Sequence, residues 1–115
     1  MQYMLITYVN QSGWGTLTKA QQEQGMAAYQ AYTDALSKAG ALVSANRLGM
    51  AAEAATVRLD AGKPQVLDGP YADTKEQFGG YFVIDVPNHD AAVSWAARCP
   101  AADHGIVEVR PIWPM

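Results

Sequence analysis

The chain has 115 residues, half of them hydrophobic and 17% charged, with a net charge of −3 and a single cysteine. That length suits one domain rather than two, the composition is globular rather than disordered, and one cysteine excludes an internal disulfide framework. The eight Lys and Arg form neither a run nor a face, which argues against direct binding of nucleic acid phosphates.

Residues 2–9, QYMLITYV, are β-branched, aromatic and long apolar types and predict a first strand. This start lacks the basic region and small-residue cleavage site of a secretion signal. No apolar stretch approaches the ~20 residues a membrane helix needs, so a cytoplasmic location is expected. Residues 10–15, NQSGWG, predict a loop. Thr18 and Gln21 have capping-box spacing and open a helix. Met26, Tyr29, Thr33 and Leu36 recur at helical steps along one face, and Gly40 ends the helix. Gly25 weakens it locally.

Residues 41–48 predict a second strand, followed by a loose link through residue 55. TVRLD and PQVLD flank Ala61-Gly62-Lys63 as a hairpin, with Pro64 at the start of an edge strand. GYFVIDV, residues 80–86, is the clearest strand. Asn88 caps a second helix that runs to Cys99, where Pro100 stops it. IVEVRPI, residues 106–112, is the last strand. One domain over residues 1–115 follows, of α+β class: two helices on one face of a mainly antiparallel sheet, as in the ferredoxin-like sandwich.

YMLITYV and YFVIDV are apolar at nearly every position rather than at alternate ones. Side chains of a strand alternate between faces, so these strands present two apolar faces while the helices cover one. An uncovered second face is a large exposed apolar patch. A second copy packed sheet to sheet under two-fold symmetry is the expected cover. Thr7, Asp85, Glu108 and Arg110 are then expected in the intersheet space or at its rim, with Glu108 and Arg110 close enough to pair.

Asp68-Gly69-Pro70-Tyr71 reads first as a stiff turn: Pro70 holds Gly69 extended, Asp68 bonds nearby backbone, and the Tyr71 ring packs to anchor the loop. Asp73 and Glu76 have the spacing of a cap on a short helical turn ended by Gly79-Gly80. Lys75 has no structural demand on it. A rigid loop at a cavity edge suits an anionic ligand, which makes Asp68, Tyr71, Lys75, Glu108 and Arg110 the ligand-binding candidates. Glu108 and Arg110 are either an ion pair or a carboxylate- or phosphate-holding pair on the cavity wall. His89 and His104 read as surface histidines without metal-ligand spacing. Cys99 reads as a core residue at the wrong helix pole for a thiolate. No phosphate loop, dinucleotide fingerprint or Ser/His/Asp pattern is present, so no cofactor is expected.

The stretches DGPYADTKEQFGGYFVIDV and AVSWAARCPAADHGIVEVRPIW resemble the DGPF (DGPFAETKE) branch of the YCII-related family. The match lies in Asp68-Gly69-Pro70, Thr74-Lys75-Glu76, Gly79-Gly80, Trp95 to Pro100 and Glu108 to Pro111. Tyr71 stands where Phe is usual and Asp73 where Glu is usual. The resemblance implies a ferredoxin-like domain that dimerises into an αβ-barrel. It also implies a possible accessory link to sigma-70-type factors of the extracytoplasmic-function class. Other branches carry a His in the first helix and an Asp before a Pro near the end of the second; this chain has Tyr29 and Cys99 near those places. A dimeric ligand-binding or accessory module, a small cofactor-independent enzyme using the intersheet cavity, and a pure interaction domain with a filled interface all stay open.

Overall fold

The structure, a computed structural model, describes residues 1–115. Its strands are β1 (Gln2–Val9), β2 (Leu42–Arg47), β3 (Ala55–Asp60), β4 (Lys63–Asp68), β5 (Gln77–Asp85) and β6 (Ile106–Pro111). Its helices are α1 (Gln11–Trp14), α2 (Lys19–Lys38), α3 (His89–Arg98) and α4 (Ala101–His104), with a 3₁₀ turn at Ala51–Glu53. Four strands form one sheet in the order β2-β5-β1-β6, with every neighbouring pair antiparallel. With α2 following β1 and α3 following β5, this is the expected ferredoxin-like arrangement. The β3–β4 hairpin stands apart as a second, two-stranded sheet inserted between β2 and β5.

Local chemistry sets the helix limits. The Thr18 hydroxyl accepts from the Gln21 N–H while the Gln21 side chain accepts from the Thr18 N–H, the expected capping box. Gly40, at φ 72°, closes the other end of α2. Asn88 caps α3 by accepting from the Ala91 N–H at 2.9 Å. Two expected loops instead contain single helical turns, α1 and α4, each too short for its sequence periodicity to show.

The core lies between the helices and one sheet face. Leu5, Leu36, Ile84 and Cys99 are its fully buried large side chains. The face that α2 buries is carried by Tyr32 and Leu36, whereas Met26 points to solvent. Tyr32 packs edge-on against Phe82 at 5.1 Å and Trp95 at 6.1 Å, and its hydroxyl donates to the Trp95 carbonyl at 2.7 Å. Gly25 has a packing reason: a Cβ there would sit 3.3 Å from the Trp14 ring. Trp14 thus lies between α2 and the Arg47 guanidinium, which stands 5.4 Å over its ring.

Gly79 and Gly80 do not end a helix. They lie inside β5 at an irregularity opposite Thr7 and Tyr8. At Gly80 a Cβ would come within 2.9 Å of the Asn46 carbonyl oxygen, so β2 and β5 approach closely there. The stretch 70–76 contains bends and no helical turn; the Thr74 hydroxyl donates to the Glu76 carbonyl, and the Gln77 side chain donates to the Thr74 carbonyl. These bonds tie the Thr74 and Glu76 carbonyls to side chains, and the Asp73 and Glu76 side chains form no cap.

The molecule measures 48 × 43 × 18 Å, two layers thick. Its radius of gyration is 16.0 Å, against about 13 Å for a compact chain of this length. No helix is long and apolar enough to cross a membrane.

Candidate functional site

Alternation along β1 sends Tyr3 and Leu5 into the helix-side core and Met4, Ile6 and Tyr8 to the opposite face. On that open face Met4 lies opposite Val83 and Arg110, and Ile6 opposite Tyr81 and Glu108. Ile6 and Val83 are buried yet stand outside the helix-side core. Tyr8 meets Phe78 edge-on at 5.8 Å. Asn46 donates to the Tyr81 hydroxyl at 2.9 Å. The open face therefore has an apolar centre, an amide–phenol pair toward β2, and a carboxylate and a guanidinium along β6.

Two expectations for this face are corrected. Thr7 is buried on the helix side, where its hydroxyl donates to the Gly80 carbonyl at 3.0 Å, because it shares the phase of Tyr3 and Leu5. Glu108 and Arg110 share a face but do not bond to each other; the single ion pair joins the Met1 amine to Asp85 at 2.8 Å. Successive same-face residues on a strand are separated by about 7 Å, and both residues are exposed.

Asp68-Gly69-Pro70-Tyr71 forms an elbow where the β3–β4 hairpin leaves the sheet. The Gly69 N–H donates to the Ala54 carbonyl at 2.7 Å, and the Thr56 hydroxyl donates to the Gly69 carbonyl at 2.9 Å. Gly69 sits at φ 102°, a conformation that suits glycine. Gln11 braces the adjoining 3₁₀ turn, accepting from the Ala51 N–H at 2.8 Å and donating to the Gly49 carbonyl at 3.3 Å. A cavity of about 320 Å³ opens beside the elbow, lined by Leu48, Met50, Glu53, Pro70, Gln77 and Phe78 among others. The Glu53 carboxylate there accepts from the Met50 N–H at 2.7 Å. Tyr71 does not anchor the loop: its ring is 81% exposed, since no side chain of the same chain lies over it. Asp68 and Lys75 are exposed and carry no ion pair.

Within the chain the candidates thus fall into two groups. Asp68, Tyr71 and Lys75 belong to the elbow on the β2–β5 side, while Glu108 and Arg110 stand on β6 at the far edge of the sheet. Asn46, Phe78 and Gln11 were not legible as site residues. An edge asparagine, a strand aromatic and a loop glutamine carry no spacing signal.

On the helix side Tyr29, Tyr32 and Cys99 come together at the seam between α2 and the end of α3. Burial pushes the Tyr29 phenol up to about 12, with Cys99 adding to the rise and Arg47 opposing it. Burial likewise pushes up the Tyr32 phenol and the Cys99 thiol. All three are held in their neutral forms at neutral pH. The Tyr29 ring also meets His104 edge-on at 6.4 Å. No cluster of three or more His, Cys, Asp or Glu side chains gathers anywhere in the fold.

The YCII-related domain matches residues 1–115. An uncharacterised protein of Rhizobium meliloti (strain 1021) is 35% identical over 114 residues, covering 97% of this chain and 92% of that protein. Among solved structures, 5-chloro-2-hydroxyhydroquinone dehydrochlorinase (TftG) from Burkholderia phenoliruptrix AC1100, in complex with 2,5-dihydroxybenzoquinone, superposes with a TM-score of 0.56 at 14% identity. That alignment covers 98% of this chain and 94% of the other, a likeness of fold.

Proposed function

This chain belongs to the YCII-related family, and from that premise we propose that it is a homodimeric module that binds a small ligand between two stacked sheets. Two copies set their open faces together about a two-fold axis. The ligand occupies the space left between them, with Glu108 and Arg110 at its rim and Asp68, Tyr71 and Lys75 at its mouth. The observation that carries this reading is the sheet itself. Its central strands are apolar on both sides, and α2 and α3 cover one.

The polar groups favour an oxygen-rich, small, anionic ligand. A guanidinium holds carboxylate, enolate or phosphate oxygens in bidentate fashion, and an exposed tyrosine ring offers a planar ligand a stacking surface. The dehydrochlorinase of the same fold was solved with a hydroxylated quinone, which makes 2,5-dihydroxybenzoquinone a rational first probe here. The test is two-part: sedimentation equilibrium for the dimer, then calorimetric titration of that quinone and of small carboxylates and phosphates. Binding that weakens at least tenfold in both Arg110→Ala and Lys75→Ala supports the site. Binding untouched by either substitution refutes it. Chemical conversion of a probe, rather than its return unchanged, moves the reading to a cofactor-independent enzyme in the same space. A link to sigma factors rests on the resemblance alone, and a native pull-down that recovers none removes it.

A further inference from the structure

Every residue of β3 and β4 except Thr56 is exposed, and neither strand packs substantially on another element of its own subunit. Beyond its root the hairpin is nevertheless two-sided. In register, Ala55, Val57 and Leu59 lie opposite Asp68, Val66 and Pro64. All of one face is apolar except Asp68 at the root. The other face carries Arg58, Asp60, Lys63 and Gln65, with Thr56 and an exposed Leu67 toward the root, and Gln65 donates to the Asp60 carboxylate at 3.1 Å. Such alternation is the pattern of a ribbon with one face packed and one in water. Here the apolar face covers nothing: Val57, Leu59 and Val66 are 60–68% exposed. An isolated two-stranded ribbon is marginal in water, so something outside the subunit must cover it.

We propose that this hairpin is an exchange arm whose apolar face packs on a second copy of this chain, so that each subunit's arm roofs part of its partner's open sheet face. The proposal rests on the dimer reading above and adds the arm as a contributor to the ligand space. Three features select a second copy over an unrelated protein. First, the arm joins β5, which lines the open face, and Pro70 at the arm's root and Phe78 of β5 line one cavity; the arm thus springs from beside the open face. Second, Arg58 and Lys63 balance Asp60 and Asp68 in the arm, so two like copies meet without net repulsion from it. Third, a strand of six residues spans about 20 Å, enough to cross most of a four-stranded sheet at about 4.8 Å per strand.

The elbow acquires a purpose in this arrangement. The bonds of Gly69 to Ala54 and of Thr56 to Gly69 carry the hairpin's own ladder down to its root, and those of Gln11 to Ala51 and Gly49 tie the turn before β3 to α1, which anchors the arm where it leaves. An anchored root lowers the ordering cost of association.

The test compares wild type with a Val57→Thr/Leu59→Thr/Val66→Thr variant, which places β-branched residues at all three positions and removes apolar surface from side chains already exposed in the subunit. Sedimentation equilibrium gives the dimer constant, and hydrogen exchange followed by mass spectrometry reads residues 57–66 above and below it. The expected result is a dimer at least tenfold weaker, with arm amides in wild type protected only when dimeric. An unchanged dimer constant with arm amides unprotected at all concentrations overturns the arm proposal and leaves the stacked sheets intact. A wild type that stays monomeric at all concentrations overturns the dimer reading itself. Arm amides protected in a monomer overturn the exchange, since the arm is then covered by its own subunit.

Discussion

Replacing Tyr32 by Phe removes one oxygen and keeps the ring contacts to Phe82 and Trp95. The hydroxyl donates to the Trp95 carbonyl at 2.7 Å, close to the C-terminal end of α3. The Cys99 N–H, which would continue the helical ladder to Trp95, donates to the Ala96 carbonyl instead. Tyr32 therefore satisfies a carbonyl that the helix end leaves open. Losing a buried partner costs about 1–3 kcal/mol, so about 2 kcal/mol is expected. With an unfolding entropy of about 2.1 cal/mol/K per residue, a chain of 115 residues loses about 8 °C of Tm for that change.

The pH dependence sharpens the test. Burial raises the Tyr32 phenol's pKa in the folded state, while the unfolded phenol ionises near pH 10. The stability that comes from keeping it protonated is complete below about pH 10 and is lost as pH climbs toward the folded value. Phe lacks this titration, so the gap between wild type and Tyr32→Phe is full at pH 7 and narrows by up to about 1.4 kcal/mol at pH 11. Urea unfolding followed by tryptophan fluorescence, at one fixed protomer concentration because association shifts apparent stability, measures both points. A Tyr32→Phe protein within 0.5 kcal/mol of wild type at pH 7, or a gap constant up to pH 11, would falsify the role given to the hydroxyl.

Gly80→Ala drives a Cβ to 2.9 Å from the Asn46 carbonyl oxygen, and both sides of that contact are backbone; a loss of about 1–3 kcal/mol in urea unfolding is expected. Thr18→Ala removes the acceptor for the Gln21 N–H and is expected to cost about 1 kcal/mol; no change in thermal midpoint would contradict the capping assignment. Ile106→Lys places a charge on the open face beside Tyr8, at a side chain already 54% exposed in the subunit. It is expected to weaken the proposed dimer at least tenfold in sedimentation while leaving the chain's circular dichroism unchanged, and an unaltered dimer constant would count against sheet-to-sheet stacking.

Much of the candidate site could be located from sequence, and little of it oriented. Asp68-Gly69-Pro70 announced a turn, but Gly69 sits at φ 102° rather than in the extended conformation expected, and the bonds there run between Gly69 and Ala54 and Thr56 rather than from the Asp68 side chain. Which way Tyr71 points depends on whether a neighbour lies over its ring, and a ring has no sequence signature for that. Glu108 and Arg110 share a face because a strand's period is two, but their reach past one another is a matter of rotamers and solvation. Tyr32 was overlooked on α2 because Met26, Tyr29, Thr33 and Leu36 satisfy the same period; the sheet selects the stripe that meets Phe82 and Ile84.

Local rules act over a few residues, and they were enough to define the helix caps, the Ala61-Gly62 turn, the four sheet strands and the surplus of apolar side chains on β1 and β5. Those properties belong to the chain before it folds, since each depends on dihedral preference, hydrogen bonding between near neighbours, or counting of faces. Tertiary structure alone decided that β3 and β4 leave the sheet as a separate arm, that Thr7 turns toward the helices, and that Gly25 seats Trp14. These depend on which distant surfaces arrive at the same place, and the free energy of such contacts is shared between partners that no local stretch contains.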